Sequence, residues 1–338
     1  MAMADRIAVL GLGLIGGSLL LRLAELGHEV VGYDADPATR AAAAGDHQIA
    51  DDMAKAVADA DIAVLAVPLP ALEEVVTLVR TAGFAGVLTD VTSVKQKPAE
   101  IVARCFPAAR YVGGHPMAGT ERSGFAAADP GLFTGRPWVL CLDDRTPLPD
   151  WLWLTDLLTG AGARVVPAAA AEHDAAVAAI SHLPHLVANA VALGADGALA
   201  QALAAGSFAG GTRVAATRAA LTAAMCGGNA AAVADRLDRL IAELAEARRL
   251  LDAPDPVAAL TPWLAGGQRI RSGWPPEAGP EQLEVAELPT LLALGREGGW
   301  VTGVPSSVAG AGQAVRTIRP LISRQPGQDG NAGPPRKR

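Results

Sequence analysis

The feature that most constrains the fold is a glycine-rich turn near the N-terminus. Arg6–Leu10 has the pattern of a short buried strand, and Gly11-Leu-Gly-Leu-Ile-Gly16 follows it directly. A helical pattern then continues to about Leu26, and a second strand from Glu29 to Tyr33 is followed by Asp34. Strand, glycine turn, helix and strand together form a βαβ unit, which predicts a parallel sheet.

The glycines of this turn predict a dinucleotide site. Gly11 permits the tight turn, Gly13 lets the backbone approach a pyrophosphate, and Gly16 lets the helix pack closely on the strand. The free N–H groups at the start of the helix would then face the phosphates. A glycine-rich turn without a ligand is the simpler alternative, but an acidic residue about 20 positions further on favours the dinucleotide site.

Asp34 is that acidic residue, and it bears on the choice of cofactor. Its carboxylate would accept hydrogen bonds from the adenosine ribose hydroxyls and would repel a phosphate on that ribose, so NAD is favoured over NADP. Arg40 could reach a 2′-phosphate and keeps NADP as the alternative. Val67 and Pro68 end another strand, whose end would point at the dinucleotide. The predicted cofactor-binding residues are Gly11, Gly13, Leu14, Ile15, Gly16, Asp34, Val67 and Pro68.

Further strand candidates alternate with helical stretches. They are Ile62–Val67, Gly86–Asp90, Tyr111–Gly114, Trp138–Leu142 and Arg164–Val166. The alternation predicts an α/β domain over residues 1–167, with a doubly wound and mostly parallel sheet. Residues 168–251 lack a strand candidate and predict an all-α second domain. Residues 252–323 form a C-terminal extension of unclear fold, and the Pro- and Gly-rich residues 324–338 predict a disordered tail.

Charge, cysteines and hydropathy exclude several classes of function. The 28 basic and 35 acidic residues give a net charge of −7, which argues against nucleic-acid binding. Three widely spaced cysteines predict neither a disulfide framework nor a metal site, and they favour a reducing compartment. With no signal peptide and no long uncharged apolar segment, the sequence predicts a cytoplasmic protein without a membrane span.

Two stretches that follow strand candidates carry groups suited to catalysis. They are Asp90–Lys95, which contains Ser93, and Gly113–Gly124, which contains His115. Because ligands of open α/β sheets sit outside the strand carboxyl ends, both side chains can point into one cleft. A histidine there can take a hydroxyl proton while a hydride leaves the same carbon, since its ordinary pKa lies near 6.5.

A third stretch, Ser181-His-Leu-Pro-His185, lies in a helical segment. The spacing places Ser181, His182 and His185 near one face of the helix, and Pro184 predicts a local kink or unwinding. These polar groups can contact a substrate, can be satisfied structural histidines, or can bind a metal. No third ligand with suitable spacing is evident, so the sequence predicts no metal site.

Gly210-Gly-Thr-Arg-Val-Ala215 opens another helical stretch. Thr212 is predicted as its N-cap, which would place Arg213 in the first turn, where a positive charge is mildly unfavourable. An anionic ligand would resolve that conflict, because arginine binds carboxylates with two parallel hydrogen bonds. A surface arginine without a ligand is the alternative.

In this order the motifs resemble those of the prephenate/arogenate dehydrogenase family. The matching strings are Gly11–Ser18, Asp90–Lys95, Gly114–Glu121, Ser181–His185 and Thr212–Ala215, within about residues 5–250. The resemblance implies an N-terminal Rossmann domain and a helical dimerisation domain, and so a homodimer. It also implies the oxidative decarboxylation of prephenate to 4-hydroxyphenylpyruvate, or of arogenate to tyrosine, with hydride transfer to NAD in tyrosine biosynthesis.

The resemblance further implies roles for single residues. His115 would bond the C4 hydroxyl of the substrate and assist its deprotonation, and Ser93 would position that hydroxyl and the nicotinamide. Arg213 would bind a substrate carboxylate. The other substrate-binding residues would be Thr120, Glu121, Ser181, His182 and His185.

Two other functions fit the same architecture. A 3-hydroxyacid dehydrogenase would often rely on a catalytic lysine in its helical domain, but no lysine occurs between residues 113 and 336. A regulatory protein that binds NAD without turnover would be expected to lose His115 or Arg213, and both are present.

Overall fold

The computed structural model describes residues 5–119, 122–305 and 313–321. Its first sheet contains β1 (Arg6–Leu10), β2 (Glu29–Tyr33), β3 (Gln48–Ile49), β4 (Ile62–Leu65), β5 (Val87–Asp90) and β6 (Arg110–Val112). The strands stand in the order β3-β2-β1-β4-β5-β6, and each pairs with its neighbours in parallel. The chain therefore winds outward from β1 in both directions, which confirms the predicted doubly wound sheet.

Helices cover both faces of this sheet and explain its continuous apolar strands. The connecting helices are α1 (Leu14–Glu25), α2 (Pro37–Ala43), α3 (Met53–Val57), α4 (Leu72–Thr81) and α5 (Gln96–Cys105). In β1, Ile7 and Val9 belong to one core cluster and Ala8 and Leu10 to the other, as alternation along a strand requires. A fully buried Leu, Ile or Val contributes roughly 1.5–3 kcal/mol, so both faces stabilise the sheet.

A second sheet of mixed direction follows the first. Its strands are β7 (Gly114–Pro116), β8 (Pro137–Cys141), β9 (Arg164–Ala168), β10 (Glu277–Val285), β11 (Trp300–Gly303) and β12 (Ala314–Leu321), in the order β10-β12-β11-β9-β8-β7. The helix α6 (Leu148–Gly160) connects β8 to β9, which are parallel, whereas the other neighbours are antiparallel. The sheet predicted as mostly parallel is thus wholly parallel in β1–β6 and mixed in β7–β12.

The predicted strand Tyr111–Gly114 is divided between the two sheets. β6 ends at Val112, and β7 begins at Gly114 and pairs with β8. A side chain at Gly114 would place its Cβ 2.6 Å from the backbone oxygen of Asp90, so glycine permits this close approach. The chain therefore crosses from the first sheet to the second between β6 and β7. This crossing places His115 on β7, beside the end of β5.

The C-terminal segment completes the second sheet. Val301 of β11 pairs with Val165 of β9, and β12 and β10 add to the same sheet beyond it. The helix α14 (Leu288–Arg296) packs on β9, where a Cβ at Gly295 would lie 1.8 Å from the backbone oxygen of Pro167. The extension 252–323, left without a fold by the sequence, therefore contains a helix of the helical region, α13 (Pro256–Ser272), followed by strands and a helix of the α/β layer. The predicted tail 324–338 lies outside the described residues.

Helices fill the chain between β9 and β10. They are α7 (Ala170–Val177), α8 (Leu183–Leu193), α9 (Ala198–Leu203), α10 (Gly206–Thr212), α11 (Ala219–Gly228), α12 (Ala230–Leu251) and α13 (Pro256–Ser272). A π-helical turn, Ala178–His182, joins α7 to α8 just before Pro184. The unwinding expected near this proline is present, because proline cannot donate the hydrogen bond of a regular helix.

The continuous stretch Ala170–Leu193 is long and apolar enough to cross a membrane by length and composition, with a mean hydropathy of 1.5. The sequence predicted no membrane span. Only 22% of its most apolar window is buried. Its buried side chains include His173, Asp174 and His182, which make the hydrogen bonds described below. These contacts hold the beginning of the stretch against the loop after β5 and against Asn229.

Candidate active site

The candidate site lies along the carboxyl edge of the first sheet. Tyr33, Leu10, Leu65 and Asp90 stand in register on four neighbouring strands. The segments that follow these strands therefore leave the sheet side by side. They are Asp34, the turn Gly11–Gly16, the pair Val67 and Pro68, and the loop from residue 91 to residue 95. Ligands of open parallel sheets bind outside this edge.

The glycine turn has the shape that a pyrophosphate requires. Gly11 has φ +102°, and a Cβ there would lie 2.4 Å from the backbone oxygen of Ala66. A Cβ at Gly16 would lie 1.9 Å from the backbone oxygen of Gly11, so helix and turn touch directly. A Cβ at Gly13 would meet nothing within 4 Å among the described residues, which leaves the space over the N-terminus of α1 open. Leu14 and Ile15 begin α1 there.

Asp34 closes the turn from the next strand. Its carboxylate accepts hydrogen bonds from the backbone N–H groups of Leu12 (2.8 Å) and Asp36 (2.9 Å). The guanidinium of Arg40 donates to the backbone oxygens of Asp34 (2.6 Å) and Ala35 (3.1 Å). Arg40 therefore lies beside the predicted ribose site, bonded to backbone rather than to the Asp34 carboxylate.

The loop after β5 is organised by a buried ion pair. The Lys95 ammonium contacts the Asp90 carboxylate at 2.5 Å, and both side chains are fully buried. The same ammonium donates to the backbone oxygen of Gly114 at 2.5 Å. Asp90 also accepts from the Tyr111 hydroxyl (2.7 Å) and the Gly114 N–H (3.1 Å), and Thr92 bonds the same carboxylate. This network fixes the loop to the start of β7.

His115 is joined to two residues of the helical segment. Its Nδ1 lies 2.8 Å from Nε2 of His173, and Nδ1 of His173 lies 2.8 Å from the Asp174 carboxylate. That carboxylate also accepts from the backbone N–H groups of Lys95 (2.7 Å) and Gln96 (2.9 Å). Because α7 carries His173 and Asp174, the helix is anchored to the loop after β5 and reaches the catalytic candidate on β7.

His182 is fully buried in the π-helical turn beside this group. The Asn229 side-chain amide donates to the backbone oxygen of Asp174 at 2.7 Å and lies 3.2 Å from Nδ1 of His182. Nε2 of His182 has no partner with hydrogen-bond geometry among the described residues. His173 and His182 thus both lie beside Asp174. Together with His115 and His185 they make four of the six histidines of the chain in this region.

Arg213 lies near His185. It begins a 3₁₀ turn, Arg213–Ala216, and its charge acts on the imidazole of His185. The side chain is exposed, so a ligand can reach it. Thr212 ends α10 and donates to the backbone oxygen of Phe208 at 2.6 Å. The predicted N-cap at Thr212 is therefore wrong, because the preceding residues are themselves helical.

Of the remaining predicted site residues, two lie beside His182 and two lie outside the described residues. Ser93 is half-buried in the loop after β5, and its backbone faces the imidazole of His182. Ser181 is half-buried in the π-helical turn, next to His182. Thr120 and Glu121 lie outside the described residues. Among residues 5–119, 122–305 and 313–321, no group of side chains has the arrangement of a metal site.

Burial favours the neutral form of the site histidines. It lowers the pKa of His115 well below 6.5, and the positive charge of Lys95 lowers it further. Burial also lowers the pKa of His182 to about 4, although the Asp174 carboxylate and the Ser93 backbone offset part of this effect. A neutral imidazole is the form that accepts a proton, so His115 is suited to act as a base near neutral pH.

The sequence did not point to His173, Asp174 or Asn229. An adjacent His–Asp pair at the start of an alanine-rich helix was a visible signal, because such groups are costly in an apolar setting unless satisfied. Their partners, however, are 58 and 79 positions away along the chain, at His115 and Lys95. Asn229 follows a helix end with no unusual spacing, so nothing in the sequence marked it.

Comparison with known proteins gives consistent matches. Residues 18–167 match the family model of the prephenate dehydrogenase nucleotide-binding domain, and residues 169–264 match that of its dimerization domain. Prephenate dehydrogenase of Bacillus subtilis is 32% identical over 270 residues, which cover 75% of this chain and 72% of that protein.

Two solved structures share both halves of the fold. One is a Corynebacterium glutamicum protein assigned as a prephenate dehydrogenase, with TM-score 0.76 and 36% identity over 80% of this chain and 90% of the other. Arogenate dehydrogenase of Synechocystis has TM-score 0.68 and 29% identity over 80% of this chain and 99% of the other. The residues matched by the two family models include the loop after β5, β7 and the helices α7 and α8, whereas the turn Gly11–Gly16 precedes them.

Proposed function

Because this chain belongs to the prephenate dehydrogenase family, we propose that it catalyses the oxidative decarboxylation of prephenate or arogenate in tyrosine biosynthesis. The observation that carries the proposal is His115, half-buried at the sheet edge where the glycine turn opens, with its Nδ1 bonded to His173 and its pKa held well below 6.5. NAD, when bound, supplies the hydride acceptor. Gly13, Leu14 and Ile15 would hold its pyrophosphate, Asp34 its ribose, and Val67 and Pro68 would border it.

The reaction balances with one base and no external acid. His115 takes the proton of the C4 hydroxyl while the hydrogen on C4 leaves as hydride. The C4–oxygen bond gains double-bond character, and the ring carboxylate then leaves as CO2. The electron pair of the broken carbon–carbon bond completes the aromatic ring, and the oxygen regains its proton as a phenol. The protein must therefore hold a proton at His115 and return it.

Other side chains would orient the substrate. Ser93, beside the imidazole of His182, would hold the C4 hydroxyl and the nicotinamide in line. Arg213 would bind a carboxylate, since it is exposed and lies near His185. His182 would offer its unpartnered Nε2. Ser181, Thr120 and Glu121 complete the proposed substrate-binding set.

The acid limb of activity is expected below pH 6.5. The folded protein holds the pKa of His115 below 6.5, so the imidazole stays neutral at pH values where a free histidine is half protonated. As pH falls through the lowered pKa, the base is protonated and kcat/KM drops. Initial rates of NADH formation measured from about pH 4.5 to about pH 8 test this. A limb centred at or above 6.5 would show that the limiting base is not His115.

Arg213→Gln is expected to raise the substrate KM by roughly 10-fold or more with a smaller effect on kcat, because a charged hydrogen bond to a carboxylate contributes about 1.5–3 kcal/mol. Steady-state kinetics with the active substrate measure both constants. Arg218→Gln, an exposed arginine five positions further on, is the matched control. An unchanged KM in Arg213→Gln would identify it as a surface arginine.

Asp34→Ala is expected to reduce the preference for NAD over NADP. The variant removes the carboxylate that would bond the ribose hydroxyls and repel a 2′-phosphate, while Arg40 remains beside the site. Fluorescence titration with each dinucleotide gives the ratio of dissociation constants. Asp36→Ala, which removes the carboxylate that caps α2, controls for changes in local structure. An unchanged ratio in Asp34→Ala would overturn the assignment.

A homodimer and a cytoplasmic location are part of the proposal. Thirteen of the eighteen large apolar side chains that are exposed in the described chain lie between Ile180 and Trp274, in the helical region. Such a concentration indicates a surface that another protein covers, and the match to a dimerization domain favours a second copy. The three cysteines are free thiols, which suits a reducing compartment.

The experiment that tests the proposed function uses purified protein, NAD and either prephenate or arogenate. NADH absorbance is followed with each substrate separately. Turnover with one substrate supports the reaction and identifies which side chain the site accepts. An enzyme that binds NAD but turns over neither compound would contradict the proposal and favour a regulatory protein.

A further inference from the structure

We propose that His173 and Asp174 are positioning residues that hold His115 in the tautomer able to accept a proton. The inference rests on the proposed function, in which His115 is the base. It adds two residues from the helical region to the catalytic arrangement. The hydrogen-bond chain from Asp174 through His173 to His115 carries the argument, because the direction of each bond in it can be derived.

The direction is set at Asp174. Its carboxylate accepts from the backbone N–H groups of Lys95 and Gln96, which can only donate. Burial alone would raise the pKa of Asp174, but the bonds from His173, Gln96 and Lys95 lower it, so the carboxylate is ionised. An ionised carboxylate can only accept. Nδ1 of His173, at 2.8 Å, must therefore carry the hydrogen.

The second bond follows from the first. A neutral imidazole has one N–H and one lone pair, so Nε2 of His173 presents its lone pair. Burial lowers the pKa of His173, which keeps this ring neutral. Nδ1 of His115, 2.8 Å away, must then donate. Nε2 of His115 is left with the lone pair, and this is the atom that can take the hydroxyl proton.

The packing holds this arrangement in place. His173 is 3% exposed and Asp174 is 1% exposed, so water does not compete for their hydrogen bonds. The two imidazole rings meet edge to face, with centroids 5.0 Å apart and planes at 76°. When His115 takes a proton, its charged Nδ1–H still faces a lone pair that is backed by a carboxylate. The same pair therefore stabilises the protonated base.

Asp174 also directs His182 to the opposite role. The amide nitrogen of Asn229 bonds the backbone oxygen of Asp174, so it is the donor nitrogen, and it donates to Nδ1 of His182 as well. Nε2 of His182 then carries a hydrogen. Asp174 thus sets Nε2 of His115 to accept a proton and, through Asn229, sets Nε2 of His182 to donate a hydrogen bond.

The test compares His173→Leu with His173→Gln. Leucine removes the acceptor for Nδ1 of His115, so the ring can adopt the tautomer that protonates Nε2. We expect kcat to fall by roughly 10²-fold or more at every pH, with KM for substrate and NAD within about twofold. The glutamine oxygen can accept the same bond, so His173→Gln is expected to recover at least about tenfold of the loss.

His28→Leu is the matched control. His28 precedes β2, at the end of the strand away from Asp34, and we expect its kcat to be unchanged. Thermal unfolding of each variant separates a folding defect from a catalytic one. Imidazole ¹⁵N chemical shifts of the wild-type protein give an independent readout that needs no folded variant at His173, with the His115 signal assigned by its loss in His115→Asn. An Nδ1–H tautomer at His115 is expected.

The possible outcomes distinguish a failure of the proposed function from a failure of the positioning role of His173. Wild-type protein without turnover on either substrate contradicts the proposed function. Active wild type with His173→Leu within threefold of its kcat contradicts the positioning role alone. Equal losses in the leucine and glutamine variants with raised KM, or an Nε2–H tautomer at His115, would also overturn it.

Discussion

His115→Asn is expected to lower kcat by roughly 10²-fold or more, because it removes the proposed base. Asparagine approximates the size of the imidazole and can keep a hydrogen bond to His173, but it cannot take a proton from the C4 hydroxyl at neutral pH. Hydride transfer from C4 would then leave a protonated carbonyl, which is a far less stable product. Steady-state NADH formation with the active substrate measures the loss.

Binding measurements distinguish lost chemistry from lost structure. His115 lies on β7 and forms no part of the glycine turn, so the dissociation constant for NAD is expected to change by less than about threefold. The melting temperature is expected to stay close to that of the wild type. A near-native kcat in His115→Asn would remove the residue from the role of base and would also remove the basis for a role of His173.

The second large effect is on stability. Lys95→Met is expected to lower the free energy of unfolding by about 3–5 kcal/mol, because it leaves the Asp90 carboxylate buried without its cation. The ammonium also bonds the backbone oxygen of Gly114, so its loss leaves a further acceptor without a donor. Chemical denaturation followed by circular dichroism measures the change.

The matched control is Lys55→Met. Lys55 forms an ion pair with Asp51 at 2.9 Å, but both side chains are largely exposed, at 69% and 76%. Exposed pairs contribute about 0–1 kcal/mol, so this variant is expected to unfold almost as the wild type does. If Lys95→Met proved no less stable than Lys55→Met, the buried pair would not be what fixes the loop after β5 to β7.

The first sheet could be predicted because its signals are local. A strand, the turn Gly11–Gly16 and a helix follow one another without a gap, and aspartates mark the ends of two further strands. Asp34 follows β2 and Asp90 ends β5. Parallel strands joined by helices admit few arrangements, so the local pattern was enough to predict a doubly wound, mostly parallel sheet.

The second sheet could not be predicted in the same way. Its strand β11 pairs with β9, as Val301 does with Val165, although the helices α7–α13 separate the two strands in the chain, and β12 and β10 follow in the sheet. β10 has the sequence Glu-Ala-Gly-Pro-Glu-Gln-Leu-Glu-Val, which lacks the apolar alternation of a typical strand. The long-range pairing, and not a local preference, makes this segment a strand.

The candidate site likewise contains residues that a local sequence signal identifies and residues that only a long-range contact identifies. His115 and Ser93 were identified because each follows a strand, and Arg213 and His182 because their charge or polarity was unexplained on helices. His173 was not identified, since its function depends on a partner 58 positions away. The sequence therefore predicts which groups face the cleft, whereas the bonds that fix their protonation require the folded structure.

The most direct test of the central claim is the stoichiometry of the reaction. Purified protein is incubated with NAD and whichever of prephenate or arogenate it accepts, and NADH, CO2 and aromatic product are measured in the same sample. The account predicts equal amounts of all three, because hydride loss from C4 and loss of the ring carboxylate belong to one event. NADH formed without CO2, or a product that is not aromatic, would contradict it.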